Sequence, residues 1–368
     1  MKFKTACLAA SLAAAGLATT GLAHAQSKVE LYGIIDVNVQ AYNKAPDGQG
    51  GTKTVTGMGS GGLSGSRWGL RGTEDLGGGM KAVFQLEGGF NAATGRFADS
   101  SRLFNRVTML GIASNWGQIS MGRQYSPAHA KLMSVLPFAG SAFEAVPYVS
   151  PVRADNSLTY NGKFGGLDFG VYYSFRDFNE QTTFDENTTG RWGVAAQYDF
   201  NRDIRVVASY DRMEHGAGYP NVAGSLGEVD NIAVGTRVNI SGIKLTALYR
   251  NRKTEVANNP AVKSHFFAVG AGYQFTPQIY AGLAYYYDKL KDDTAASRAA
   301  IGASRDSGRW HQIAFQGIYS MSKRTNLYLA VAHARNGAVG LGFGGDGDRW
   351  RWQQGNQTAG MVGIRHMF

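Results

Sequence analysis

The sequence predicts an all-β fold: a 16-stranded antiparallel transmembrane β-barrel. Two observations lead to this fold class. Apolar and polar side chains alternate along about sixteen segments, and the connections between these segments are in turn short and long. A strand with one apolar and one polar face needs a different solvent on each side.

The C-terminal segment shows the alternation clearly. Phe368, His366, Ile364 and Val362 lie on one face, whereas Arg365 lies on the other. Segments of this kind define the sixteen predicted strands: 28–42, 66–75, 79–92, 103–114, 117–123, 156–164, 167–176, 190–200, 204–214, 229–241, 243–253, 264–275, 278–290, 308–321, 324–335 and 356–368.

Residues 1–25 are predicted to be a cleaved signal peptide, which leaves 26–368 as the barrel. Lys2 and Lys4 give a positive start, an apolar stretch follows, and Ala23-His24-Ala25 fits a small-residue cleavage site. A short membrane anchor is the alternative, but the stretch is brief and rich in small residues. An exported protein is therefore expected.

Charge and cysteine content restrict the function classes. Cleavage removes two lysines and no acid, so the formal net charge falls from +10 to +8. Cys7 leaves with the leader, so neither disulfides nor thiolate metal sites are expected. The arginines are spread along the chain and not clustered, which argues against nucleic acid. No cofactor is predicted.

The connections fall into two groups. Two-to-four-residue turns such as Gly165-Gly166 and Ser241-Gly242 alternate with long loops: 43–65, 93–102, 124–155, 177–189, 215–228, 254–263, 291–307 and 336–355. Short periplasmic turns and long extracellular loops are typical of an outer-membrane barrel. A soluble β-sandwich, the main alternative, gives no reason for this sorting.

Charged side chains keep one parity within each predicted strand. An arginine facing lipid at the bilayer midplane would cost roughly 2–4 kcal/mol, so this face is expected to line water. With about 16 strands the interior is too wide for side chains to fill. The predicted lumen-lining residues include Asp36, Lys81, Glu87, Arg205, Lys244, Arg250 and Arg365.

The segment 124–155 is the candidate for narrowing such a channel. It is the longest connection, lacks a period-2 pattern, and carries Pro127, Pro137, Pro147 and Pro151, half of the prolines. Long ordered loops in compact folds are usually functional. A loop that reaches outward is the alternative.

Several runs resemble the trimeric general porins of Gram-negative bacteria, particularly their β-proteobacterial and neisserial branch. These are Val29–Gly33, the stretch Ser66–Gly79 with its Arg71-Gly72-Thr73-Glu74-Asp75-Leu76-Gly77 core, Met121–Tyr125 and the terminal Phe368. The resemblance covers nearly the whole mature chain. It implies a homotrimer, a third loop folded into the barrel, and a constriction with basic residues opposite acids on that loop.

The resemblance assigns Arg67, Arg71 and Arg123 to the basic wall of this constriction, and Arg106 shares the inward parity. Glu144 and Asp155 are expected on the acidic side. Ile34 stands where enteric relatives have a lysine, and the loop tip carries one carboxylate, so the field is expected to be mainly positive. Arg123 shares its parity with outward-facing residues and needs a β-bulge to turn inward.

The leading hypothesis is a general diffusion porin for ions and small hydrophilic solutes, weakly anion-preferring, in contact with outer-membrane lipid and lipopolysaccharide. A channel selective for an anionic or sugar solute is the second hypothesis, although Tyr32, Tyr172 and Tyr286 are among few inward aromatics. A barrel enzyme or an adhesin is a further alternative. No nucleophile or acid–base constellation is recognisable, so the protein is not expected to be an enzyme.

Overall fold

The computed structural model describes residues 28–47, 49–141, 143–145, 152–175, 190–213, 226–256, 259–291, 308–339 and 355–368. The predicted signal peptide lies outside these residues. Within the described part, no helix is long and apolar enough to cross a membrane.

The described residues form one antiparallel sheet that closes on itself. Its strands are β1 (Lys28–Pro46), β2 (Thr52–Ser60), β3 (Arg67–Gly77), β4 (Met80–Gly89), β5 (Val107–Ser114), β6 (Gly117–Tyr125), β7 (Arg153–Phe164), β8 (Leu167–Ser174), β9 (Arg191–Asp199), β10 (Ile204–Met213), β11 (Leu226–Ile240), β12 (Ile243–Val256), β13 (Asn259–Gln274), β14 (Ile279–Lys291), β15 (Arg309–Ser320), β16 (Thr325–Arg335) and β17 (Gln357–Met367). One helix, α1 (Pro127–Leu132), and a 3-10 turn (Met133–Val135) lie between β6 and β7.

The ring has sixteen strand positions, which confirms the predicted barrel. β1 pairs with β17 on one side, so the first and last strands close the described sheet. On its other side, β1 pairs with β3 through Lys28–Ile34 and with β2 farther along the strand. β2 and β3 therefore occupy successive stretches of a single position in the ring.

β2 corrects the prediction that 43–65 is a loop without strand structure. Its Gly- and Thr-rich sequence has no apolar alternation, but its backbone continues the ladder of β1. Between β2 and β3 the chain turns inward, and the buried carboxylate of Asp36 accepts hydrogen bonds from the backbone N–H groups of Leu63 and Ser64 at 2.8 Å each. A buried carboxylate needs such donors because it has lost its water.

The predicted long loop 254–263 is also corrected. β12 continues to Val256 and β13 begins at Asn259, so the two strands form a long hairpin. The register runs from Ile243↔Tyr273 to Thr254↔Val262 before it shifts. Polar residues on both faces hid this extension from the period-2 pattern, because both faces of a strand beyond the membrane can be wet.

The predicted inside and outside faces agree with the exposure of the side chains. Leu31 is 63% exposed, whereas Asp36 on the opposite face of β1 is fully buried. In β14, Leu283 and Tyr285 are exposed and Tyr286 is buried. Since the exposed residues form an apolar outer band, the barrel presents its apolar face to lipid and its polar face to the lumen.

Candidate channel constriction

The chain after β6 turns into the barrel and begins with a short helix. The hydroxyl of Ser126 accepts a hydrogen bond from the backbone N–H of His129 at 3.1 Å, and Pro127 occupies the first helical position. Both features favour a helix start, because they satisfy or remove free N–H groups. The 3-10 turn follows directly, and Leu136 returns to an extended conformation.

Glycines on the inward face of three strands bring the segment 126–145 close to the wall. An ideal Cβ on each glycine would collide with a side chain of the segment: 2.6 Å from Pro127 Cβ at Gly170, 2.7 Å from Val135 Cγ2 at Gly235, and 2.6 Å from Pro137 Cβ at Gly270. Real side chains do not approach so closely. The missing side chains therefore set the path of the segment along β8, β11 and β13.

Polar contacts fix the tip of the segment farther round the ring. Lys244 Nζ donates to the carbonyl of Pro137 at 2.7 Å, and Ser141 Oγ donates to Gln316 Oε1 at 2.8 Å. The ring of Phe143 lies edge-on to Tyr42 of β1, with ring centroids 6.4 Å apart. We call the inward face of β8–β15, against which the segment packs, the covered wall.

Glu144 anchors this tip. One carboxylate oxygen accepts the backbone N–H groups of Phe138 at 3.0 Å and Gly140 at 2.7 Å, and the other accepts the hydroxyl of Tyr286 at 2.9 Å. Burial raises the pKa of Glu144 to about 7, although the hydrogen bonds and Lys244 favour its charged form. The carboxylate is fully buried against β14. This position differs from the predicted one, in which Glu144 faces the basic residues across the opening.

The opposite side of the lumen carries arginines. Arg106 Nε donates to Glu87 Oε1 at 2.6 Å, and an Arg106 terminal nitrogen donates to the hydroxyl of Tyr125 at 2.6 Å. Arg153 donates to the same hydroxyl at 2.9 Å, and its guanidinium lies 4.6 Å from the Tyr125 ring centroid. One tyrosine oxygen therefore holds two guanidinium groups together.

Arg67 belongs to the same cluster. A terminal nitrogen of Arg67 lies 3.9 Å from Glu87 Oε1, and Arg67 Nε donates to the carbonyl of Gly65 at 2.9 Å. Tyr32 donates to the other Glu87 oxygen at 2.9 Å. We call the inward face of β3–β7, which carries this cluster, the basic wall.

Arg123 and Asp155 meet each other at the edge of this cluster. They form an ion pair, and Arg102 donates to the second oxygen of Asp155 at 2.7 Å. The bulge that the sequence requires near Arg123 is present, since Gly122 pairs with Ser157 whereas Gln124 pairs with Ala154. The sequence predicts Asp155 on the acidic side of the constriction, opposite the arginines. The structure instead places it among the arginines.

Arg71 lies on the short-turn side of the cluster, with its guanidinium 5.1 Å from the ring centroid of Tyr32. It pairs with Glu30 at 2.8 Å near the short-turn rim, and its side chain is 59% exposed. Arg71 shares the inward parity of Arg67 but lies two inward positions farther along β3. The structure therefore joins Arg67 with Arg106 through Glu87, whereas Arg71 contacts this group across the ring of Tyr32.

The other predicted lumen-lining residues take varied partners. Arg205 pairs with Asp199 at 2.6 Å, and Lys81 is exposed at the short-turn rim opposite Asp75. Arg250 is buried and donates to Ser264 Oγ at 3.1 Å. Arg365 donates to Ser64 Oγ at 2.9 Å, which ties β17 to the inward turn after β2.

Arg153, Tyr125 and Arg102 join the site although the sequence did not single them out. Arg153 and Tyr125 fall within 124–155, where no alternation assigns an inward face, and Arg102 lies before β5. Two of the predicted inward aromatic residues, Tyr172 and Tyr286, are buried, with hydroxyls that donate to Asp211 and Glu144. These two rings therefore do not line an aromatic path for a sugar.

A closed sheet with an apolar exterior, a polar lumen and a segment packed inside it defines an outer-membrane channel. The chain belongs to the Gram-negative porin family, whose family model matches residues 9–338. It is a general diffusion porin of the bacterial outer membrane, which confirms the channel class and location in the leading hypothesis, and porins are channels and not enzymes.

Relatives match over almost the full chain. Outer membrane porin protein 32 of Delftia acidovorans is 32% identical, and an outer membrane porin protein of Bordetella pertussis is 30% identical, each over 97% of this chain and 99% of the relative. The anion-selective porin from Comamonas acidovorans has a TM-score of 0.74 at 28% identity and covers 93% of this chain. The match covers 100% of the Comamonas acidovorans porin chain. OmpT of Vibrio cholerae, described in a trimer form, has a TM-score of 0.66 at 15% identity over 93% of this chain and 99% of its own, and shows the fold alone.

Proposed function

We propose that this porin prefers anions weakly and that the basic wall causes the preference. The observation that carries the proposal is the charge balance of the cluster. Five guanidinium groups, those of Arg67, Arg102, Arg106, Arg123 and Arg153, stand with three carboxylates, those of Glu87, Asp155 and Asp99, the last 3.8 Å from Arg102.

The size of the effect follows from Coulomb's law. One uncompensated positive charge about 8 Å from a passing ion contributes roughly 0.5 kcal/mol in water, which is about a twofold rise in local anion concentration. The effect is larger where protein walls lower the local dielectric constant, and salt screens it. A few net charges therefore give a moderate preference and not strict selection.

The segment 126–145 serves, in this proposal, as the second side of the constriction. Its described carboxylate, Glu144, bonds to the segment's own backbone and to Tyr286. The acid is thus turned away from the opening, so the transverse field comes mainly from the basic wall. The relative described as anion-selective, 28% identical to this chain, supports the same direction.

Arg153→Gln tests the proposal without leaving a buried acid unpaired. The described side-chain contacts of Arg153 are to Tyr125, whereas removal of Arg106 would strand Glu87. We expect the reversal potential in a tenfold KCl gradient to move toward the cation side, by about a twofold change in permeability ratio at low salt. Planar-bilayer recordings measure this shift.

Arg202→Gln is the matched control, since Arg202 is 93% exposed in a short turn and carries the same charge. Its reversal potential should equal that of the unmodified porin. Clear cation selectivity of the unmodified porin, or equal shifts in both variants, would contradict the role of the basic wall.

We also propose that the porin forms a homotrimer in contact with outer-membrane lipid and lipopolysaccharide. The resemblance to general porins implies the trimer, and the trimer form described for OmpT is a precedent for this fold. Heat should convert one large species on a gel into a single band of about the monomer mass. A species that migrates as a monomer before heating in mild detergent would contradict the trimer.

A further inference from the structure

A second piece of chain lies inside the barrel, between β2 and β3. Ser60 at the end of β2 pairs with Val37, and Arg67 at the start of β3 pairs with Ile34. The six residues 61–66 therefore stand opposite only two residues of β1, and the excess chain leaves the ladder. It turns toward the lumen, and we call residues 61–66 the inward turn.

The inward turn lies across the inward faces of β16, β17 and β1. Arg365 of β17 joins Ser64 of the turn to Asn326 of β16, with hydrogen bonds of 2.9 Å and 2.8 Å. The Tyr328 hydroxyl oxygen lies 2.1 Å from the place that a Cβ of Gly62 would take, so the turn and β16 are in close contact. Since the covered wall ends at β15, the inward turn continues this inner layer as far as the basic wall.

Asp36 of β1 holds the inward turn in place. One carboxylate oxygen accepts the backbone N–H groups of Leu63 and Ser64 at 2.8 Å each. The other accepts the N–H of Gly62 at 3.0 Å and the hydroxyl of Tyr328 at 2.6 Å. Successive N–H groups that point at one anion form a nest. Because Asp36 is fully buried, its removal would leave these N–H groups without an acceptor inside the protein.

The inward turn in its own place holds Arg67 of the basic wall. Arg67 Nε donates to the carbonyl of Gly65 at 2.9 Å. Gly65 lies between two residues that bond to Asp36, since Ser66 Oγ accepts the Asp36 N–H at 3.0 Å and donates to the Asp36 carbonyl at 3.1 Å. The position of the Gly65 carbonyl therefore depends on Asp36, and the direction of the guanidinium depends on that carbonyl. Supporting contacts of this kind keep a functional side chain in one orientation.

The two ways in which Asp36 can act on ions have opposite signs. Its negative charge attracts cations, so loss of the charge alone would raise the preference for anions. Its hold on the inward turn keeps the guanidinium of Arg67 within the basic wall, so loss of this hold would lower the preference for anions. The sign of a measured shift therefore separates the two effects.

We propose that Asp36 is a positioning residue for ion preference, which holds the guanidinium of Arg67 in the basic wall through the inward turn. The proposal rests on the proposed function, in which the basic wall attracts anions. It adds a residue that passing ions do not contact, because Asp36 is fully buried and acts from the neighbouring strand.

Asp36→Asn tests the proposal. Either orientation of the amide places its nitrogen, a donor, against at least one backbone N–H of the inward turn, so the turn moves and Arg67 loses its fixed acceptor. We expect the anion-to-cation permeability ratio to fall by up to about twofold at low salt, the effect of one charge in the lumen. Planar-bilayer reversal potentials in a tenfold KCl gradient measure this change. A merely structural role would lower the yield of folded channels and leave their ion preference unchanged.

Arg67→Lys tests the same link without a change in the inward turn, and it decides the question if Asp36→Asn yields no folded channels. Lysine keeps the charge, but its single ammonium group cannot bond to Gly65 with one nitrogen and face Glu87 with another. We expect a fall in the permeability ratio of less than about twofold. In the Asp36→Asn background the same substitution should add no further change, because the arginine is already released.

Glu30→Gln is the matched control. Glu30 shares the parity of Asp36 on β1, but its described ion pairs are to Lys28 and Arg71 and not to the inward turn. The loss of its negative charge should raise the preference for anions slightly. The reversal potential is therefore expected to move in opposite directions in Glu30→Gln and Asp36→Asn.

Several results would overturn the role of Asp36. A shift of Asp36→Asn toward anions, or no shift, would do so, and so would an Arg67→Lys channel with the ion preference of the unmodified porin. Failure of the proposed function gives a different result, because Arg153→Gln then leaves the reversal potential unchanged. A normal shift in Arg153→Gln without a fall in anion preference in Asp36→Asn contradicts the role of Asp36 alone.

Discussion

The two sides of the lumen differ in the size of their inward side chains. Where the segment 126–145 packs against it, the covered wall carries small inward residues, including Ala195, Gly235, Ala268, Gly270 and Ala284. The basic wall carries long side chains such as Arg67, Arg106 and Arg153. Small inward residues leave room for a second layer of chain, whereas long charged residues extend into water.

This contrast separates positioning from selectivity. The covered wall determines where the segment 126–145 lies, through the close approach of Pro137 to Gly270 and the anchor at Glu144. The basic wall is proposed to set which ions are favoured, through an excess of guanidinium groups. Substitutions on the first wall are therefore expected to change conductance, and those on the second to change ion preference.

Gly270→Ala is expected to have the largest effect. Its new Cβ would lie 2.6 Å from Pro137 Cβ, so the segment must move away from the wall. Overpacking of this kind costs about 1–3 kcal/mol, enough to shift the segment among several positions. We expect noisy conductance with altered mean level in single-channel recordings, whereas the ion preference changes less.

Gly360→Ala provides the matched control on β17. An added Cβ there would meet only the carbonyl oxygen of Ala330, at 3.8 Å, which is an ordinary contact. Its conductance should be that of the unmodified porin. If Gly270→Ala also conducts normally, the glycine does not set the path of the segment. The covered wall would then not determine where the segment lies.

The sequence predicted the barrel because the alternation along each strand and the sorting of short and long connections are local and repetitive properties. Inward parity identified Glu87 as a lumen residue, and the family resemblance assigned Arg67. The parity assigned to Arg106 was wrong: it precedes β5 and has the parity of the exposed Leu110 and Ile112, and it reaches Glu87 from outside the strand. The resemblance also assigned Arg71 to the basic wall, but neither the resemblance nor the strand parity gives the height of a residue along the lumen. Only the register of β3 against β1 shows that Arg71 lies near Glu30 at the rim.

The orientation of Glu144 could not be predicted, because a segment without periodicity has no defined inner face. A carboxylate at its tip can face the opening or the wall, and burial against Tyr286 decides the question. One signal was present in the sequence: Gly235, Gly270 and Gly282 share inward parity on three strands, where glycine weakens a strand unless another chain approaches closely. Arg153 was missed for the same lack of periodicity.

The anchor at Glu144 is expected to depend on pH. Its pKa is about 7 in the folded protein against 4.5 for an exposed glutamate, so the packed segment binds the extra proton between these values. Because the packed state holds more protons than the detached state in this window, anchoring weakens as the pH rises from about 4.5 to 7 and then levels off. Conductance fluctuations should therefore be smaller at pH 5 than at pH 8.

Glu144→Gln separates this titration from other groups. The amide oxygen can still accept the N–H groups of Phe138 and Gly140, and the amide nitrogen can donate to Tyr286 if its hydroxyl turns to accept. We expect a quiet channel whose fluctuations no longer change between pH 5 and 8. A pH response of unchanged size in this variant would show that another group controls the segment.

Arg71→Gln is expected to have the smallest effect, although the family resemblance places Arg71 on the basic wall. Arg71 is paired with Glu30 and largely exposed. It lies four residues along β3 from Arg67, about 14 Å at strand spacing, which exceeds the Debye length of about 10 Å at 0.1 M salt. Its guanidinium lies 5.1 Å from the ring centroid of Tyr32, but it is paired and exposed to salt, so its charge acts on ions beside Arg106 more weakly than that of Arg153. The reversal potential of Arg71→Gln should shift less than that of Arg153→Gln, and its shift should be smaller at 1 M than at 0.1 M KCl. A larger shift in Arg71→Gln than in Arg153→Gln would show that ions are selected near the short-turn rim and not beside the Tyr125 cluster.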